Sequence, residues 1–167
     1  FQTYKQGEAK MAIVKANFYK QSLNQFAPNR VRGEYLDWGL SAEVIEAQID
    51  VSQETPLYSG DPVKILSTSK GKLKVVAGSA SDKFVGYIIY NPKHETFKAG
   101  DIVSVLLRGG VMSFVTEEAI DAGAIVYYAE DGSVTTTAPA GAQSRVGVAF
   151  EATSATEGGV LMPVYVG

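Results

Sequence analysis

The chain has 167 residues, 46% of them hydrophobic and 20% charged, a balance that excludes wholesale disorder and fits one domain with an appendage. It contains no cysteine and a single histidine, His94, which excludes disulfide frameworks, thiolate zinc cages and every Cys–His nucleophile pair. Net charge is −3, and the bases are concentrated early: residues 1–34 carry six bases and two acids, and residues 35–167 carry nine bases and sixteen acids.

Residues 1–40 read as an extended N-terminal arm. Phe1 to Lys10 show no apolar secretion signal, and Met11-Ala12 resembles a start. Nowhere does the chain reach the apolar length of a transmembrane helix, so no membrane partner is expected. The arm lacks a sustained period of 2 or 3.6, yet residues 1–38 hold seven of the aromatics: Phe1, Tyr4, Phe18, Tyr19, Phe26, Tyr35 and Trp38. Disordered tails are poor in such residues, so the arm is expected to order against a surface. Half a dozen anchors cannot offset the backbone entropy of some forty residues, so a self-supporting unit is not expected. The alternatives are a groove or sheet edge on another polypeptide, or packing on the chain's own β domain. The basic residues stand singly, with no run of five, which argues against nucleic acid.

From residue 41 to 167 the chain reads as all-β. Short β-branched runs predict strands over Glu43–Val51, Val63–Leu66, Leu73–Ala77, Phe84–Tyr90, Ile102–Arg108, Val111–Val115, Ile125–Ala129, Ser133–Thr137, Val146–Glu151 and Val160–Val166. Ser69-Lys70-Gly71-Lys72, Arg108-Gly109-Gly110-Val111 and Glu130-Asp131-Gly132-Ser133 are hairpin turns, where glycine supplies positive φ. Thr116 to Gly123 fits one helical turn. About ten short strands with such punctuation point to a small β-sandwich or a β-barrel-like domain.

A weak internal repeat pairs residues 57–108 with residues 120–166. Gly60, Gly86 and Gly100 of the first segment match Gly123, Gly147 and Gly158 of the second. The outer glycines precede strands, whereas Gly86 and Gly147 lie inside apolar runs and predict bulges or close backbone contact.

The residues carry no catalytic, metal or cofactor signature. His94 sits in Asn91-Pro92-Lys93-His94-Glu95, a predicted exposed turn, and a carboxylate hydrolase would have to recruit Asp82, Asp101 or Glu151, each also a turn or strand-edge acid. A receptor- or carbohydrate-binding β domain is the alternative reading, with Tyr58, Tyr87, Tyr90, Tyr127, Tyr128 and Tyr165 as a stacking platform. At least one member of each of the pairs Tyr87/Tyr90 and Tyr127/Tyr128 is expected in the core instead.

The succession Leu57-Tyr58-Ser59-Gly60-Asp61-Pro62-Val63-Lys64, then Asp82-Lys83-Phe84-Val85-Gly86-Tyr87-Ile88, resembles tailed-phage structural cement, or capsid decoration, proteins. So do Phe97 to Met112, Ala122 to Tyr127, Arg145 to Ala149 and Gly158 to Val164. The arm, with Asn17-Phe18-Tyr19-Lys20-Gln21, is similar to the extended arms of that family. The resemblance implies a non-enzymatic virion protein on the outer capsid surface, without cofactors. It implies a homotrimer at threefold or quasi-threefold positions, holding major capsid protein subunits together. The expected anchors are Phe18, Tyr19, Leu23, Phe26, Tyr35 and Trp38, with Arg30 and Arg32 pairing acids on the capsid.

Overall fold

In the computed structural model the described residues are 32–36, 41–79, 85–138 and 145–167. They form eleven strands: β1 (Tyr35–Leu36), β2 (Glu43–Ile49), β3 (Pro62–Ser69), β4 (Lys72–Ala77), β5 (Gly86–Ile88), β6 (Ile102–Arg108), β7 (Val111–Thr116), β8 (Ile125–Tyr128), β9 (Val134–Thr135), β10 (Arg145–Ala149) and β11 (Val160–Val166). The ten strands expected from the sequence are all present, with ends shifted by a few residues. β1, which no local pattern announces, is an addition. The domain is all-β.

Two sheets divide these strands. β2, β4, β3, β5 and β6 close into a barrel, and β1-β7-β11-β10-β8-β9 form a six-stranded sheet. Every pairing is antiparallel except β2–β4, where Gln48 and Ile49 lie beside Lys74 and Val75 in parallel. The barrel is filled by Ala47, Ile49, Leu57, Val63, Val75, Ile88, Phe97, Val103 and Val105. A second core lies under the open sheet and is built on Met112, Phe114, Ile120, Val126, Tyr128, Met162 and Val164.

Strands β5 and β6 weld the two cores together. Successive strand residues face opposite sides. Ile88 and Val105 therefore point into the barrel, while their neighbours Tyr87 and Leu106 point into the core of the sheet. Tyr87 meets Phe114 edge to face at 5.1 Å between ring centroids. A strand pair buried on both faces is apolar throughout, which is why Gly86-Tyr87-Ile88 and Val105-Leu106 read as continuous runs rather than alternations.

One hydrogen-bond scheme occurs twice. Leu57 and Phe97 exchange backbone bonds in an isolated bridge, and Ile120 does the same with Thr153. After each first partner comes a turn with a left-handed glycine, Gly60 or Gly123, whose N–H donates to Ile88 O or Ala149 O. The return bonds, Ile88 N to Asp61 O and Ala149 N to Ala124 O, close the two arrangements. Gly86 and Gly147 hold matching places as well. A Cβ on Gly86 would come 2.2 Å from Leu106 O, and one on Gly147 would come 1.7 Å from Tyr165 O.

The expected helical turn over Thr116 to Gly123 is absent. Ile120 is instead pulled flat into its bridge with Thr153, where its side chain is 1% exposed in the core. Burial of that side chain and two backbone bonds outweigh the weak local preference for one turn of helix. Gly147→Ala is expected to lower stability by about 1–3 kcal/mol or more, because strand β11 must move away to admit the methyl group. Chemical denaturation of the variant against the parent chain checks this.

Candidate functional site

The five residues before the barrel are tied into both halves of the domain. Tyr35 and Leu36 pair with Met112 and Val111 as an edge strand. Gly33 N donates to Ser113 O at 2.8 Å, Ser113 N to Glu34 O at 3.0 Å, and Tyr90 N to Gly33 O at 2.8 Å. Gly33 lies so close to the Ser59-Gly60 backbone that a Cβ would come 2.4 Å from Gly60 N, and its φ of +78° also suits glycine.

Arg32 completes this attachment and is 2% exposed. Its Nη1 donates to Asp61 Oδ1 at 3.0 Å and to Ser59 O at 2.6 Å. Its Nη2 faces Tyr128 Oη at 3.2 Å, with Gly60 O and Gly132 O at 3.4 Å. Asp61 is fixed in turn, its Oδ2 accepting from Tyr58 N at 2.9 Å. One guanidinium thus spans the first half, at 59–61, and the second, at Tyr128 and Gly132. Burial disfavours its charge, but the Asp61 carboxylate and the hydrogen bonds to Asp61 and Tyr128 outweigh that and hold the Arg32 pKa above its usual value. Burial raises the Tyr128 phenol well above its ordinary range, so it stays protonated. Asp61 and Tyr128 also line a cleft of about 270 Å³ with Pro56, Leu57, Ala77 and Glu130.

Of the expected partner-binding residues, the structure describes two. Arg32 pairs with Asp61 of its own chain rather than with an acid on a partner, because it is sealed in the seam between the sheets. Tyr35 is half-buried and packs against the core of the open sheet, so it too serves the domain. Phe18, Tyr19, Leu23, Phe26, Arg30 and Trp38 lie outside the described residues. The residues that sequence reasoning missed are Asp61, Ser59, Tyr128 and Gly132. A Gly-Asp turn was legible at 60–61, but the same turn recurs at Gly100-Asp101, where Asp101 Oδ2 accepts from Lys98 N at 2.7 Å with no arginine in the arrangement. Nothing local separates the two turns.

Two of the six tyrosines expected on a stacking platform are withdrawn into the interior. Tyr87 and Tyr128 are each 3% exposed and belong to the core, as expected for one member of each pair. His94 N donates to Asn91 O at 3.1 Å in an exposed turn. The exposed ion pair Arg108–Glu43, at 2.9 Å, links β2 to β6. Its hydrogen bond lowers the Glu43 pKa, but open to water it adds little to stability.

Comparison with known proteins gives this geometry its setting. The family model described as "Structural cement protein (E217 gp24/Pam3 gp6)" matches residues 19–166. The chain belongs to the phage structural cement protein family. It is a structural capsid cement protein, with its place on the virion capsid. No curated protein matches the chain. Among solved structures it is similar to the head fiber gp8.5 N base of bacteriophage phi29, with 12% identity, a TM-score of 0.48, and coverage of 76% of this chain and 95% of that one.

In this cement protein, Arg32→Met is expected to cost about 3–5 kcal/mol, because Asp61 stays buried without its charge partner. The double variant Arg32→Met/Asp61→Asn is expected to recover part of that loss. Denaturant titrations of the two variants check the order, and equal losses would show that the ion pair itself carries none of the effect.

Proposed function

We propose that this cement protein grips neighbouring major capsid protein subunits on the outer capsid surface through residues 1–31, and that the β domain is the rigid body from which this arm extends. The observation that supports the reading is the root of the arm. Arg32, Gly33 and β1 fasten the chain to both halves of the domain, so the segment preceding Arg32 starts from a fixed point. That segment carries Phe18, Tyr19, Leu23, Phe26 and Arg30, the apolar and basic residues suited to a groove on another polypeptide. Trp38, beyond β1, is a further candidate anchor.

The protein acts as a homotrimer at threefold or quasi-threefold positions. Three arms on one body bind three capsid sites at high effective concentration, and linkage of this kind raises avidity by roughly 10²–10⁴ without new contacts. A protein that binds only the expanded shell stabilises that shell by mass action. No step of this role requires catalysis.

Two truncations test the reading. Deleting residues 1–31 is expected to leave a domain that melts like the full chain but no longer co-sediments with expanded capsids. Deleting residues 1–38 removes Arg32 and β1 as well, and is expected to lower the melting temperature. Capsid binding by the shorter deletion as tight as that of the full chain would overturn the arm assignment.

A further inference from the structure

Charge is divided sharply between the two halves of the domain. Residues 41–108 carry eight bases and eight acids, whereas residues 109–167 carry Arg145 alone against Glu117, Glu118, Asp121, Glu130, Asp131, Glu151 and Glu157. Within the first half, the hairpin of β3 and β4 holds Lys64, Lys70, Lys72 and Lys74 and no acid. From Ile65 to Lys72 every residue of it is exposed. A register shift between Ile65 and Ser67 marks a bulge, and Ile65 and Leu66 stand 53% and 51% exposed. Lys70 is the described non-glycine residue with positive φ, at 51°, a place where asparagine or glycine would sit more easily.

The second half presents the complementary surface. The loops at 117–121 and 150–158 are stitched together by the Ile120–Thr153 bridge and by Thr156 N donating to Glu117 O. They expose Asp121, Glu151 and Glu157. Beside them the outer face of the open sheet is apolar: Ile125 is 44% exposed opposite Val148, and Phe150 stacks on Tyr165 at 5.9 Å.

We infer that copies of this chain associate head to tail, the lysine hairpin of one copy docking on the acidic loops and apolar sheet face of the next. Lys70 and Lys72 meet Asp121 and Glu151, while Ile65 and Leu66 cover Ile125 and Phe150. Both surfaces pair an apolar patch with charge of one sign, and each is the other's complement. An acidic patch on some other protein would satisfy the lysines equally, but the chain itself supplies an acidic surface with an apolar neighbour. A heterologous contact of this kind closes into a ring when the rotation allows it. The inference deepens the trimeric part of the proposed function and does not depend on the arm.

The absence of cysteine makes the test direct. Full-length Lys70→Cys and Asp121→Cys chains are mixed under mild oxidation, in solution and on expanded capsids, and disulfide-linked dimers are counted. The mixture is expected to give several-fold more dimer than either variant alone in at least one setting. Adding Lys72→Glu to the first variant is expected to abolish that excess, and adding Glu151→Lys to the second to restore it. No excess in either setting, or no restoration by the charge swap, would overturn the head-to-tail contact. Capsid co-sedimentation of the same variants is read separately, so failure of this contact is distinguishable from failure of the arm.

Discussion

A buried guanidinium joins the parts of this protein that the chain order keeps apart. Arg32 reaches Asp61 and the 59–60 carbonyls in the first half and Tyr128 and Gly132 in the second, from a segment that belongs to neither sheet's main body. Taking such a charge out of water is costly, and the geometry offsets this only because carboxylate, hydroxyl and carbonyl oxygens converge on it. An arginine suits this place because its planar fork reaches several acceptors at once, where a lysine would present a point charge. The exposed Arg108–Glu43 pair shows the contrast: it is equally short, yet solvent screens it.

This fastening has meaning because the two halves already form one body. β5 and β6 face the barrel with Ile88 and Val105 and the open sheet with Tyr87 and Leu106, so neither core can open without disturbing the other. The proposed grip on neighbouring subunits needs force to pass through the body of the protein without deforming it. Shared strands provide that stiffness, since close-packed interiors transmit strain rather than absorb it. The repeated hydrogen-bond scheme around Gly60 and Gly123 gives each half the same closure.

The charge arrangement sits on top of this scaffold. The basic residues gather in the arm and on the β3–β4 hairpin, while the open sheet and its loops are acidic. Separated charge of this kind orients encounters between molecules more than it stabilises any one of them. Among the described residues the buried charges are Arg32 and Asp61, and they pair with each other.

By itself the sequence determined what is local. β-branched runs fixed the ten principal strands, the Lys70-Gly71 and Gly109-Gly110 steps fixed their hairpins, and glycines inside apolar runs foretold the close approach at Gly86 and Gly147. The lack of cysteine and the lone, exposed His94 turned the reading away from catalysis. The tertiary structure alone decided the closure of the barrel through the parallel β2–β4 pairing and the extension of β7 by Tyr35 and Leu36. It also decided the inward fate of Arg32, which reads in sequence as one more arm base. The reason is separation along the chain. Periodicity and turn chemistry act over a few residues, whereas Arg32 finds Asp61 across 29 positions and Tyr128 across 96, and only the packed sheets bring those groups within reach.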